Sequence, residues 1–144
     1  MIEIVAQPKI EIAEFVNARQ GLPLEHSWGH FTALGLVKDG DLKAGVIYNN
    51  LDGTNLCMHV GAVDGCRWMT PAFLFAAFDY PFNELRMRRV TAPIKSRNKK
   101  SIEFVRNLGF THDGTLKHYY ADDDLHLYGL LKEDCRFLEM RKAA

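Results

Sequence analysis

The groups in this chain best suited to chemistry are the imidazoles of His59 and His118, the hydroxyls of Ser101, Tyr119 and Tyr120, and the thiol of Cys66. An imidazole titrates near neutrality, so His59, with His118 as second choice, could accept a proton from an attacking nucleophile. A thiol beside Arg67 at a helix start could itself be a nucleophile. No triad of partners surrounds Cys66 in the sequence, and it reads equally as a small loop residue. Asn98, followed three residues on by Ser101, offers an amide and a hydroxyl to a ligand, or else simply caps a helix. Asp122, Asp123 and Asp124 read as solvated turn residues.

The elements that must position these groups are legible from periodicity. Ile12, Phe15 and Val16 recur near helical spacing between Pro8 and Gln20, and Gly21 and Pro23 close that first helix. The loop from Gly21 to Gly29 has no period; its Leu22, Leu24, His26 and Trp28 cover either a core edge or a cleft. Three strands follow, Phe31 to Val37, Lys43 to Tyr48 and Asn55 to Ala62, separated by turns that contain Asp-Gly pairs. Thr70 and Pro71 then open a helix rich in phenylalanine, with a kink or early end expected near Tyr80 because Pro81 removes an internal hydrogen bond. Arg89 to Ile94 alternates as a strand in which Pro93 points to irregular pairing. A helix from Asn98 to Leu108 ends on Gly109. Short strands at Phe110 to His112 and Leu116 to Tyr120, the acidic turn, and a last strand from Leu125 to Leu131 complete the chain. This order predicts an α+β fold with a mixed, mainly antiparallel sheet flanked by helices.

Composition narrows the setting. At 144 residues and 47% hydrophobic the chain fits one domain over 1–144. Eighteen basic residues face 18 acidic ones, so no global field draws in nucleic acid or anionic lipid. There is no signal-peptide pattern at the start and no apolar run near the ~20 residues of a membrane span, which gives the expectation of a cytoplasmic protein without a membrane partner. Three cysteines, Cys57, Cys66 and Cys135, lack metal-ligand spacing and form no disulfide framework, so no metal is expected.

The run Asn98, Ser101, Gly109 and Phe110, preceded by a strand and followed by a hairpin that ends at Tyr128 to Leu131, resembles the second half of the GNAT superfamily of acyl-CoA N-acyltransferases. It is similar to their ribosomal-protein-acetylating branch and to short phage-type members. Phe78, Tyr80, Phe82 and Arg89 also fit, and the likeness covers roughly Asn55 to Leu138. The element order matches the GNAT-like fold as well.

The resemblance implies acetyl-CoA as co-substrate, with Asn98 and Ser101 facing its pantetheine arm. In the family the fourth strand leads into a loop, normally glycine-rich, whose amides and following helix receive the pyrophosphate. Here that segment includes Met58 and Val60, then Gly65, Cys66, Arg67, Trp68, Met69 and Thr70, with Cys66 and Trp68 where glycines are the rule. His59, late in the strand where the family opens a gap, is the implied base. Phe104 or Val105 stands where many members carry an acidic tyrosine, so Ser101, Tyr119 or Tyr120 would have to protonate the thiolate. The implied activity is transfer of an acetyl group to a primary amine of a small molecule or peptide by direct attack, and a homodimer is a common assembly among such proteins. The alternatives are a module of this fold that binds CoA, a protein partner or a nucleobase without acetylation, and an interaction subunit using Trp28 and Trp68.

Overall fold

The computed structural model describes residues 1–139. Four strands and a helix build the first half: β1 (Ile2–Val5), α1 (Lys9–Arg19), β2 (Phe31–Lys38), β3 (Asp41–Asp52) and β4 (Asn55–Ala62). The second half contains α2 (Pro71–Asp79), β5 (Arg89–Lys95), α3 (Lys99–Leu108), β6 (Thr111–Leu116) and β7 (Leu125–Leu131). One seven-stranded sheet runs in the order β1-β2-β3-β4-β5-β7-β6, and only the β4–β5 pair is parallel. The expected α+β architecture with a mixed, mainly antiparallel sheet is what the chain adopts. Among the described residues no helix is long and apolar enough to cross a membrane.

Local chemistry explains most boundaries. Asp39 and Gly40 both take positive φ between Lys38 and Asp41, the signature of the tight hairpin that an Asp-Gly pair favours. Thr70 Oγ1 accepts the Phe73 amide at 3.2 Å and Pro71 follows as first helical residue, so α2 starts as expected. Pro81 ends the α-helical hydrogen bonding at Asp79, and the chain continues through one π-helical turn, Tyr80–Glu84. Asn98 caps α3 and Gly109, at φ 105°, terminates it in the left-handed conformation.

Three strand assignments from sequence need correction. The third strand runs on past Tyr48 to Asp52, because Asn50 accommodates a positive φ in an irregularity of the ladder. The pieces expected at Phe110 to His112 and Leu116 to Tyr120 are one strand, β6, carried through a bulge between His112 and Gly114. Tyr119 and Tyr120 are therefore not in a strand; they belong to the turn that follows Leu116. The chain leaves the sheet there because His118 turns to positive φ and its amide is held by Asp124 Oδ1 at 2.8 Å.

The two faces of the sheet are unequal. α2 and α3 cover one face with the main core, in which Phe78 stacks on Phe137 at 5.1 Å and also meets Phe82 and Phe110. Tyr48 is fully buried there, donates to Ala77 O at 2.6 Å, and has its phenol pKa pushed up by that burial. On the other face α1 lies over β2, β3 and β4. It does so above a row of three glycines, Gly35, Gly45 and Gly61, which are direct neighbours across the strands. A Cβ at Gly61 would stand 3.1 Å from Val16 Cα, and one at Gly45 would stand 2.9 Å from the Val16 side chain. The row lets the helix backbone sit almost on the sheet.

That close seat is testable. Gly61→Ala forces α1 outward and is expected to cost about 1–3 kcal/mol, read as a lower urea midpoint. Gly114→Ala, where the added methyl meets open space, is expected to leave the midpoint unchanged or raise it slightly; equal effects at both positions would refute the close packing of α1.

Candidate functional site

β4 and β5 pair over three residues only, Asn55 to Cys57 against Arg89 to Thr91, and then diverge. Below the divergence a polar chain holds the strands. Thr91 Oγ1 donates to Asn55 Oδ1 at 2.6 Å and receives Arg89 Nε at 2.9 Å. Arg89 then pairs with Asp113 at 2.6 Å, crossing β7 at Gly129, where any Cβ would collide with that pair. Above it, Met58 to Ala62 of β4 have no β5 partner. Pro93, which has no N–H to donate, lies beyond the last β4 partner and pairs regularly with Leu127 of β7, so the irregularity expected of it falls on the β4 side alone.

Along the diverging part of β4 side chains alternate between the two faces. Met58 is buried in the main core and Val60 packs against it, on the side of α2 and α3. His59 points the other way, toward α1, half-buried between neighbours that fix it. The Trp28 ring lies 4.3 Å from the His59 ring, and His26 meets Trp28 edge-on at 4.7 Å. Asn49 donates through Nδ2 to Trp28 O at 3.1 Å, which turns its Oδ1 to His59 Nε2 at 2.9 Å. The proton of neutral His59 therefore sits on Nε2 and the lone pair on Nδ1. Burial, with His26 nearby as a lesser cause, lowers the His59 pKa to about 4, so the ring is a neutral acceptor at physiological pH.

Asn17 of α1 organises this wall, and sequence reading missed it. Buried to 1%, it donates to Leu24 O at 2.9 Å and His26 O at 3.3 Å and accepts Trp28 Nε1 at 2.7 Å. One side chain thus shapes the loop between α1 and β2. The available signal was an asparagine one helical turn beyond Ala13, on the apolar stripe of α1. Gln20 adds a second link, donating to Val60 O at 3.0 Å. Asn49 was hidden because the segment around it read as a turn.

On the opposite side the remaining expected residues gather around two helix starts. Gly65, at φ 76°, opens the loop before α2. In that loop the amides of Cys66, Trp68 and Thr70 are already bonded to carbonyls two or three residues back, which leaves those of Gly65, Arg67 and Met69 outside its turns. Arg67 and Met69 are exposed, and Arg67 has no ion-pair partner among the described residues. Trp68 packs at 5.5 Å on Phe104 and at 6.1 Å on Phe73, linking the loop to α3. The Cys66 thiol is free and half-buried, with no side-chain hydrogen bond among the described residues.

At α3 the Asn98 Oδ1 accepts the Ser101 amide at 3.2 Å, so the capping reading is realised, while Asn98 Nδ2 and Ser101 Oγ stay outside any hydrogen bond of the described residues. The turn after β6 is fastened beside them. Asp123 accepts from the Ser96 hydroxyl and the Arg97 amide and pairs with Arg97 Nε at 3.3 Å. Its side chain is only 7% exposed, and chiefly the Ser96 bond holds its carboxyl below the usual range. The reading of Asp123 as a solvated turn residue is overturned; it clamps the hairpin to the start of α3. Tyr120, over which Lys95 sits at 4.6 Å, and the exposed Tyr119 come with it. His118 is exposed in the same turn, at positive φ, and makes no side-chain hydrogen bond or ring contact among the described residues. Among the described residues no group of three or more His, Cys, Asp or Glu gathers to hold a metal ion.

No protein-family model and no curated protein matches the chain. Solved structures do. A variant of the spermidine N-acetyltransferase of Vibrio cholerae superposes with a TM-score of 0.74 at 10% identity, over 98% of this chain and 97% of that one. The ribosomal-protein-S5-alanine acetyltransferase of Vibrio fischeri gives a TM-score of 0.69 at 15% identity, over 94% and 95%. A dodecameric structure of the Vibrio cholerae enzyme gives 0.73 at 10%, over 92% and 94%. At such identities the likeness is one of fold, and the fold is the GNAT acyltransferase fold.

Proposed function

We propose that the protein transfers an acetyl group from acetyl-CoA to a primary amine. The observation that supports this reading is the divergence of β4 from β5 after Cys57 and Thr91, with His59 on the α1 face of the sheet and α3, which Asn98 caps, on the other. A thioester lying in that gap would reach exposed strand N–H groups able to stabilise its oxyanion. Asn98 Nδ2 would bind a pantetheine carbonyl, and the Arg67 guanidinium with the start of α2 would receive the phosphates. The amine nitrogen attacks the carbonyl carbon, a C–N bond forms and the C–S bond breaks. His59 Nδ1 takes the proton released from nitrogen, and the thiolate leaves, protonated by Ser101 or Tyr119 or by solvent. The amine would approach past Trp28 and His26, as a small molecule or peptide in a cytoplasmic setting, and a homodimer is the proposed assembly.

A second reading, a module of this fold that binds CoA without acetylating an amine, is favoured by Phe104 in place of a phenol on α3 and by the self-bonded amides of the loop before α2. Thermal shift with acetyl-CoA, CoA and ATP, followed by thiol release with a panel of amines, separates the two. Acetyl-CoA at ~100 times its Kd is expected to raise Tm by about 5–10 °C, with a smaller rise in Arg67→Ala and Asn98→Ala. Absence of any shift overturns both readings; a shift without thiol release leaves the binding module.

His59 has its own signature. With a pKa of about 4 it is neutral from pH 6 to 8, so its limb of the kcat/KM profile falls only below about pH 5, and His59→Ala is expected to lower kcat/KM about 100-fold or more. The same depressed pKa supports the fold above pH 6.5, and that support is lost as pH falls toward 4. Urea midpoints at pH 7.5 and 4.5 should therefore separate less in His59→Gln than in the wild type. An unchanged rate in His59→Ala would remove it as base.

A further inference from the structure

The last hairpin brings together three polar atoms that no step above uses. His112 and Thr115 stand on β6 on either side of its bulge, and His126 faces them from β7. His112 Nε2 and His126 Nδ1 are 3.0 Å apart. Thr115 Oγ1 lies 3.1 Å from the first and 2.9 Å from the second, closing a triangle. The two rings meet edge-on at 4.8 Å, and the buried Tyr128 ring backs His112 at 5.3 Å. His112 is exposed and His126 half-exposed, so solvent and ions reach the pair.

The triangle is short of protons. Its three edges call for three hydrogens, but the hydroxyl supplies one, and two neutral ring nitrogens can supply only one more without pointing proton at proton. A cation resolves the conflict, because both nitrogens then turn lone pairs toward it. The two nitrogens stand close enough for one ion to bridge them after a small ring adjustment. Among divalent first-row ions, imidazole ligands hold Cu2+ most tightly, which ranks the candidates.

We infer that His112 and His126 form a two-imidazole site on the β6–β7 hairpin for a divalent first-row transition-metal ion, Cu2+ first and then Ni2+, with the Thr115 hydroxyl adjoining and water completing the shell. The ion replaces the contact between the rings, and His112 then carries its proton on Nδ1. With no third His, Cys, Asp or Glu converging among the described residues, the site is a surface chelate that pins two adjacent strands. Because both ligands are brought together only by folding, the bound ion stabilises the folded chain by mass action.

The test uses the tag-free, metal-stripped chain. Isothermal titration with CuCl2, NiCl2 and ZnCl2 is expected to give one Cu2+ per chain, with Ni2+ and Zn2+ weaker, and a Tm that rises with Cu2+. Electron paramagnetic resonance of the wild-type Cu2+ complex should show coupling to imidazole nitrogen. His112→Gln and His126→Gln should each weaken Cu2+ by ~10-fold or more, whereas His118→Gln, in the adjoining turn, should not. Circular dichroism without metal checks that the variants fold. The inference is overturned if no one-to-one saturation occurs, if nitrogen coupling is absent, or if the two variants bind as the wild type does.

Discussion

The seat of α1 on the glycine row is the constraint on which the candidate site depends. At Gly35, Gly45 and Gly61 the sheet presents no side chain to the helix, so Ile12 and Val16 come close to the strand backbone there. From that seat Asn17 holds the following loop by three hydrogen bonds, and Trp28 lies against His59. An asparagine buried to this degree is tolerable because both ends of its amide are satisfied. The helix, the loop and the imidazole are thus one mechanical unit, resting on residues that have no side chain at all.

The second half of the chain supplies a different kind of order. Its helices start at the same region of the sheet, with Thr70 and Asn98 as caps, and both starts are tied down by contacts from elsewhere: Trp68 on Phe104, and Asp123 on Ser96 and Arg97. Two faces of a sheet normally have no communication. Here the short β4–β5 pairing leaves Met58 to Ala62 of β4 without a β5 partner, between the face that carries His59 and the face that α3 covers.

Most of the architecture was legible because its signals are local. Thr70 with Pro71, Asn98 with Gly109, and the Asp39 and Gly40 turn each act within a few residues, and each does what its chemistry predicts. Pro81 likewise ended α2 where expected, although the π-turn that follows could not be foreseen. What sequence could not yield are the pairings over long separations. Asn49 with His59, Asn17 with Trp28, and Ser96 with Asp123 depend on which strands become neighbours, and no periodicity encodes that. Leu116 to Tyr120 failed for a nearer reason, since the hold of Asp124 on the His118 amide, at positive φ, outweighed a local strand propensity.

The strand order has a consequence for closure as well. β7, the last of the described strands in chain order, does not add to the rim of the sheet but inserts between β5 and β6. Without Leu125 to Leu131, β5 presents an open edge with Val90, Ala92 and Ile94 above it, and β6 has no neighbour. Such an edge is a template for pairing with other chains. A chain in which β7 failed to insert would leave that edge open, so the β5–β7–β6 order makes closure of the sheet depend on β7.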